Sequence, residues 1–261
     1  ARVAAERGHR VTLAEAGPDL GGQFRLAGAQ PRRAQISDLI GWYECQLEKL
    51  GVKVKRNTYL DAHDLAEVDV DTVVLATGAL PDETGFQKAL PHVSSLPGRE
   101  AGHVWSVEDV MGRAARVGSK VVVLDEAGHW RGVGTAWKLA EDGHQVTLVT
   151  PAPFVAHGLH RSASDVPVRT RLAHLGVQFI TESVITNWSG STASIQSLLT
   201  NQTSLLDADS LVLATGRKSI DELGSELLLH NDMNIHTIGD ALAPRNAAAA
   251  IYEGRKTGLS I

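Results

Sequence analysis

Three stretches of this chain recur, in the same order, in its second half. GHRVTLAEAGP at Gly8–Pro18 is echoed by GHQVTLVTPAP at Gly143–Pro153. LGVKVKRNTYLDA at Leu50–Ala62 is echoed by LGVQFITESVITN at Leu175–Asn187, and VVLATGA at Val73–Ala79 by LVLATGR at Leu211–Arg217. Ordered self-similarity of this kind means duplicated structure. The chain therefore contains two copies of one βαβ-based unit, and any fold proposed for it has to place both.

The first copy begins with ARVAAERGH, where Val3 and Ala4 are spaced as a helix face and Gly8 is a helix-ending signal. A short buried strand follows (Val11 to Ala14), then Glu15 at its carboxyl end and a glycine turn through Gly21, Gly22 and Gln23. After a loop containing Pro31, the pattern predicts a helix from Ser37 to Leu50 that stops at Gly51. A strand over Val52–Lys55 and a second extended piece near Tyr59 come next. Val73, Val74 and Leu75 form a continuous apolar run, the mark of a strand buried on both faces, which turns at Thr77-Gly78.

Residues 81–103, rich in Pro, Gly, His and Ser, read as a connection. The second copy has a first strand at Lys120–Leu124, for which the first copy has no counterpart. The tail returns to the plan of the first copy. Ile235–Ile238 reads as a strand, Gly239-Asp240 as a turn, and Pro244 as the first position of a helix running to about Gly258. The fold class expected is α/β, two Rossmann-like units with the second inserted in the first and the first strand of unit one missing. The first domain then comprises 1–98 and 224–261, and the second 99–223.

Composition removes several classes of function. With 261 residues, 43% apolar and 21% charged, the chain is globular, and its net charge of −5 disfavours a nucleic-acid or anionic-membrane partner. No apolar run approaches the roughly 20 residues needed to span a bilayer. The one cysteine, Cys45, excludes an internal disulfide, a Cys-x-x-Cys pair and a four-cysteine iron–sulfur site within this sequence. The compartment expected is the cytoplasm.

An acid at the carboxyl end of the second strand of a βαβ unit is where the ribose hydroxyls of an ADP moiety are bound. Glu15 has that position, although alone it reads equally as a solvated strand-end acid. LGGQ alone is only a turn, and Gly239-Asp240 alone is a helix-capping turn. Their joint order inside a repeat favours nucleotide binding over plain structure. His157 and His160 have i, i+3 spacing without an evident third partner, so no metal site is assigned. Trp42, Trp130 and Trp137 fall on helical faces and read as packing residues. No residue qualifies as a hydride acceptor or general base, so no catalytic residue is assigned.

Taken together, EAGPDLGGQFRLA, VVVLDEAGHWRGVGTAWKLAEDGHQVTLVT and IGDALAPRNAAAAIYEG resemble the C-terminal region of the trimethylamine dehydrogenase and 2,4-dienoyl-CoA reductase (NADH:flavin oxidoreductase) group, over nearly the whole chain. The resemblance implies an FAD- or ADP-binding portion of a flavin-dependent oxidoreductase taking part in electron transfer. In that group an N-terminal TIM barrel carrying FMN and a 4Fe-4S cluster precedes this region, and an electron-transfer protein is a possible partner. It further implies that Glu15 binds the adenosine ribose and that Gly21, Gly22 and Gln23 close over the nucleotide. Thr77 and Gly78 would pass near the pyrophosphate, and Gly239 and Asp240 would meet the ribityl or second-phosphate end of FAD. Without the first strand and its glycine loop, the chain is expected to bind FAD poorly or not at all.

Two other readings stay open: a non-catalytic ADP-holding docking module, and a free-standing NAD(P)H-dependent flavin reductase. The second copy disfavours the latter. Where G-x-G-x-x-G is expected it reads Ala127-Gly128-His129-Trp130-Arg131-Gly132, with Asp125 and Glu126 alongside, and its next strand ends in Thr150-Pro151. That pattern predicts weak NAD(P)H binding or none.

Overall fold

The computed structural model describes residues 1–227 and 233–261. They divide into two units: unit 1, Ala1–Arg25, Gln35–Leu80 and Arg217–Ile261, and unit 2, Leu26–Ala34 and Pro81–Gly216. The division differs from the segments read from sequence. Residues 81–98 belong to unit 2 because Leu96 is buried in its core and the Gln87 amide exchanges hydrogen bonds with the backbone of Ile185 at 2.6 and 2.9 Å. The strap 26–34 also belongs there, since Gln30 Nε2 donates to Trp130 O at 2.9 Å and the Arg33 guanidinium lies 4.1 Å from the Trp130 ring centroid. Residues 217–223 belong to unit 1. Its returning segment, expected from 224, includes residues 228–232, which lie outside the described residues.

Unit 2 is built on a five-stranded parallel sheet. Across it, in order, run Val104–Ser106, Ser210–Ala214, Lys120–Asp125, Gln145–Val149 and Gln178–Ile180. The run Val121-Val122-Val123-Leu124 explains the layering. Side chains alternate across a strand, so a continuous apolar run needs cover on both faces. Val121 and Val123 face a cluster containing Val133, Ala136 and Leu139 of the helix Trp130–Glu141 and Leu172 of the helix Asp165–His174. Val122 and Leu124 face Ile185, Trp188, Ala193 and Ile195. Those four belong to an antiparallel sheet of Ser183–Trp188, Thr192–Ser197 and Thr203–Asp207, which sequence reasoning missed. Each fully buried aliphatic side chain contributes on the order of 1.5–3 kcal/mol, so this unit has a well-covered core.

Unit 1 repeats part of the plan. Thr12–Ala14 pairs in parallel with Lys53–Lys55, and Thr72–Leu75 with Asn234–Thr237. In unit 2 the equivalents of Thr12–Ala14 and Thr72–Leu75 are separated by the strand Lys120–Asp125, which pairs with both. Among the described residues of unit 1 no strand joins them, and two separate two-stranded sheets result. Each has a small core of its own, Leu20, Leu47 and Val52 beside one and Leu65, Val73, Leu75 and Leu227 beside the other. Val74, between two buried neighbours, is 39% exposed.

Three local expectations differ. The segment after Gln23 is a helix, Gln23–Gly28, and not a loop; none of its residues is buried, so it carried no periodic signal. The piece near Tyr59 forms no strand, and Tyr59 is exposed. The last helix starts at Ala247, not Pro244, because the Asn246 side chain caps it by accepting from Ala249 N at 3.0 Å. Cys45 is exposed on the helix Gln35–Lys49. Among the described residues no helix is long and apolar enough to cross a membrane.

Candidate functional site

All eight residues singled out from sequence lie in unit 1, in two groups. The first surrounds Glu15. Its backbone continues the parallel pairing, with Glu15 N donating to Lys55 O at 2.8 Å and Thr58 N donating to Glu15 O at 2.9 Å. The side chain folds back on its own turn, where Gly17 N donates to Oε1 at 2.8 Å. That bond fixes the carboxylate beyond the end of the strand and leaves Oε2 without a partner among the described residues. Gly17 permits this because a Cβ there would lie 3.3 Å from Oε1.

The glycine pair next to it is required by geometry. Gly21 has φ of +111°, and a Cβ on it would come within 2.6 Å of Ile40 Cδ1. Gly22 has φ of +44°, and a Cβ on it would meet nothing within 4 Å. The first glycine is thus a packing contact, and the second borders open space. Gln23 opens the short helix, with Phe24 N donating to Gly21 O at 2.9 Å.

The second group stands at the carboxyl end of the other small sheet. Leu75 is in register with Thr237, and Ile238 N donates to Leu75 O at 2.9 Å, so the Thr77-Gly78 and Gly239-Asp240 turns leave neighbouring strands at the same end. The segment Arg217–Ile220 joins them. Thr77 Oγ1 donates to Ile220 O at 2.6 Å and Ile220 N to Gly78 O at 3.0 Å. Arg217 pairs with Asp240 Oδ2 at 2.5 Å and donates to Ala79 O at 3.0 Å, while Ser219 Oγ donates to Asp240 O at 2.8 Å. Gly78, at φ +85°, has open space where its side chain would be. No hydrogen bond of Glu15, Gly21, Gly22 or Gln23 reaches this second group among the described residues.

The second group is held from behind by the last helix. Gly239 N donates to Glu253 Oε2 at 2.8 Å, Arg245 pairs with Glu253 Oε1 at 2.6 Å, and Arg245 N donates to Asp240 Oδ1 at 2.9 Å. The Gly239 N–H, together with Arg245, holds the Glu253 carboxyl below its ordinary range. Arg217, Ser219, Arg245 and Glu253 escaped sequence reasoning. The only signal was the arginine directly after the second Ala-Thr-Gly.

His160, seen without a carboxylate in the sequence, has one in the structure: its Nδ1 lies 3.3 Å from Asp165 Oδ2. Among the described residues no three His, Cys, Asp or Glu side chains are grouped to hold a metal ion.

Residues 1–254 match the family described as pyridine nucleotide-disulphide oxidoreductase. The chain belongs to that family. It is 31% identical to a protein of Rhizobium meliloti (strain 1021) described as "Probable N-methylproline demethylase", over 97% of this chain and 40% of that protein. It is 25% identical to dimethylamine dehydrogenase of Hyphomicrobium sp. (strain x), over 100% of this chain and 40% of that one. Among solved structures, 6-hydroxypseudooxynicotine amine oxidase from Pseudomonas geniculata N1 superposes with a TM-score of 0.94 at 30% identity, covering 99% of this chain and 39% of that chain. Histamine dehydrogenase from Rhizobium sp. 4-9 gives 0.93 at 25% identity, covering 100% and 41%. The chain thus spans about 40% of the length of the relatives it matches. These agree with the resemblance to the trimethylamine dehydrogenase group and with an α/β, Rossmann-like fold.

Proposed function

We propose that unit 1 holds the adenosine diphosphate portion of FAD, or ADP itself, within a flavin-dependent oxidoreductase larger than this sequence. The observation that carries this is the Glu15 carboxylate, fixed at the carboxyl end of a parallel strand by one oxygen and leaving the other to accept from ribose hydroxyls. The residues present fit such a group. Gly22 and Gly78 border open space where backbone can approach a phosphate, Asp240 is oriented by Arg217 and Arg245, and Gly239 is held in a left-handed turn. When bound, FAD would relay electrons; this chain's part is to bind and orient it.

The parent activity proposed is oxidation of an N-methylated amine or reduction of an enoyl compound, which the amine-directed relatives support for the first. An FMN and a 4Fe-4S cluster on a TIM-barrel region, and an electron-transfer protein as acceptor, complete the proposal. The thiolates of such a cluster would come from outside this sequence, which has one cysteine. We place the enzyme in the cytoplasm, with unit 1 as its FAD/ADP-binding domain.

Unit 1 lacks, among its described residues, the strand that unit 2 places between the corresponding pairs, and with it a glycine loop whose N–H groups meet a pyrophosphate. Affinity of this chain is therefore expected to be weak, with a Kd on the order of 0.1–1 mM. Ligand-observed NMR with ADP and FAD tests the reading: binding should weaken at least about tenfold in Glu15→Ala. Equal binding by that variant would refute it; where the chain alone shows no binding, as the missing strand allows, the same comparison is made on the parent protein. A yellow chromophore retained on the parent protein would select FAD, and a colourless nucleotide ADP.

A further inference from the structure

Unit 2 contains the strand–turn–helix that in this fold class receives a dinucleotide: Lys120–Asp125, the loop to His129, and the helix Trp130–Glu141. A pyridine nucleotide is the group the family implies there. The residues present do not fit it, for three reasons.

The anion site is already filled. Ala127 N and Gly128 N, donors of the turn that would meet a phosphate, both donate to Asp125 Oδ1, at 3.2 and 2.9 Å. The last glycine of the fingerprint, Gly132, leaves a gap in which the same carboxyl sits, since a Cβ there would lie 2.4 Å from Asp125 Cγ. Asp125 is 1% exposed, and its Oδ2 is buried without a hydrogen-bond partner. An internal carboxylate thus occupies the backbone amides and the helix end that favour negative charge. Glu126 adds a second acid, its Oε2 accepting from Lys88 N at 3.2 Å.

The crevice is also closed from the opposite side. The adenosine half of a dinucleotide runs from the loop after the first strand of the unit to the acid that ends the second. Here those strands are Lys120–Asp125 and Gln145–Val149, with Leu124 in register with Val149. The loops that follow them interlock through two histidine–glycine contacts. A Cβ on Gly128 would lie 2.3 Å from His157 Nδ1, and one on Gly158 would lie 2.7 Å from both Ala127 O and His129 Nε2. The turn carrying His157 and Gly158 is bracketed by left-handed alanines, Ala156 at φ +64° and Ala163 at +53°, and Ala156 is fully buried. Holding alanine in that region costs energy, so the surrounding packing imposes this loop position.

Finally, the ribose acceptor is missing. Thr150 stands where Glu15 stands in the other copy; it is 1% exposed, and its hydroxyl accepts from Ala152 N at 3.3 Å. We infer that unit 2 is a closed crevice in which the Asp125 carboxyl takes the place of a pyrophosphate, and that neither NADH nor NADPH binds there. Any pyridine nucleotide used by the parent enzyme binds outside unit 2. This inference does not rest on the reading of unit 1, because ADP held at Glu15 would leave the Asp125 contacts as they are.

The test follows the backbone amides of Ala127, Gly128 and His129 by 1H–15N NMR on the purified protein. Titration with NADH and with NADPH to about 1 mM should leave all three unmoved. In a pH titration Ala127 and Gly128 should shift together, since both donate to one carboxyl oxygen, and that common response should vanish in Asp125→Asn. Saturable shifts of these amides with either nucleotide would overturn the inference. So would unrelated pH responses of the two amides, or a common response that survives in the variant.

Discussion

Replacing Asp125 by asparagine should make the protein more stable above neutral pH and no more stable in acid. Burial pushes this carboxyl from its ordinary 3.8 up to about 7, against the partial relief supplied by the Gly128 and Ala127 N–H groups and the Arg131 charge. Arg131 itself is committed elsewhere, to Glu108 at 2.7 Å and Thr215 O at 2.9 Å. A folded-state pKa above the unfolded one means that the protonated acid is favoured by folding. Its contribution is whole below pH about 4 and falls tenfold in the folding constant for each pH unit up to about 7, then stays level. The difference between 3.8 and about 7 corresponds to about 4 kcal/mol at the alkaline plateau.

Asparagine never charges, and its Oδ1 can keep both backbone donors. Its amide nitrogen would replace Oδ2, which has no partner, and an orphaned buried donor costs about 1–3 kcal/mol. The variant should therefore gain about 1–3 kcal/mol at pH 8 and lose its advantage by pH 4.5. Urea unfolding followed by tryptophan fluorescence suits the purpose, because Trp105, Trp130, Trp137 and Trp188 all belong to unit 2 and only Trp42 to unit 1. Glu126, also raised by burial, adds through its charge to the upward shift of Asp125, so the variant loses that repulsion together with the buried charge. A stability difference that does not change between pH 4.5 and 8 would refute the buried, orphaned carboxylate.

Gly98→Ala should cost on the order of 2–4 kcal/mol, because Gly98 has φ of +79° and a Cβ there would lie 1.8 Å from Trp188 O; an unchanged urea midpoint would show that this close approach does not exist. The Gly239 amide resonance should move as Glu253 protonates below its ordinary 4.5. Contact with Gly239 and Arg245 lowers that pKa, so the turn is held above it and released as pH falls through the folded value. In Glu253→Gln the movement should be absent, and a persistent acid response would assign the titration to another group.

Much of the fold was legible because it rests on short-range signals. The ordered repeat carried the duplication, and Val121–Leu124 announced a strand covered on both faces. Glu15 was legible as a strand-end acid, and its place in the structure, bonded to Gly17 N two residues on, is equally local. What escaped depends on distant partners. The antiparallel sheet 183–207 has only mild alternation, and its inward residues Ala193 and Ile195 acquire meaning once Val122 and Leu124 face them. Arg217 and Asp240, or Gly239 and Glu253, are paired by the chain's return, and nothing in their spacing marks them.

The two copies separate fold from ligand site in opposite ways. Unit 2 has the complete central strand, both covering layers and the helix start, yet its turn donors serve Asp125 and its ribose position is a threonine. Unit 1 has the acid and the open glycine turns, yet its described strands form three small two-stranded sheets instead of one. If sheet integrity alone conferred binding, unit 2 would be the nucleotide site; if the terminal contacts dominate, unit 1 is. A phosphate entering unit 2 must displace a carboxyl already bonded to both donors, whereas the open positions beside Gly22 and beside Gly78 in unit 1 meet no such competitor among the described residues. A loop refilled by its own side chain relaxes the demand for a ligand while leaving the sheet beneath it, with its alternating core, under the same packing constraints.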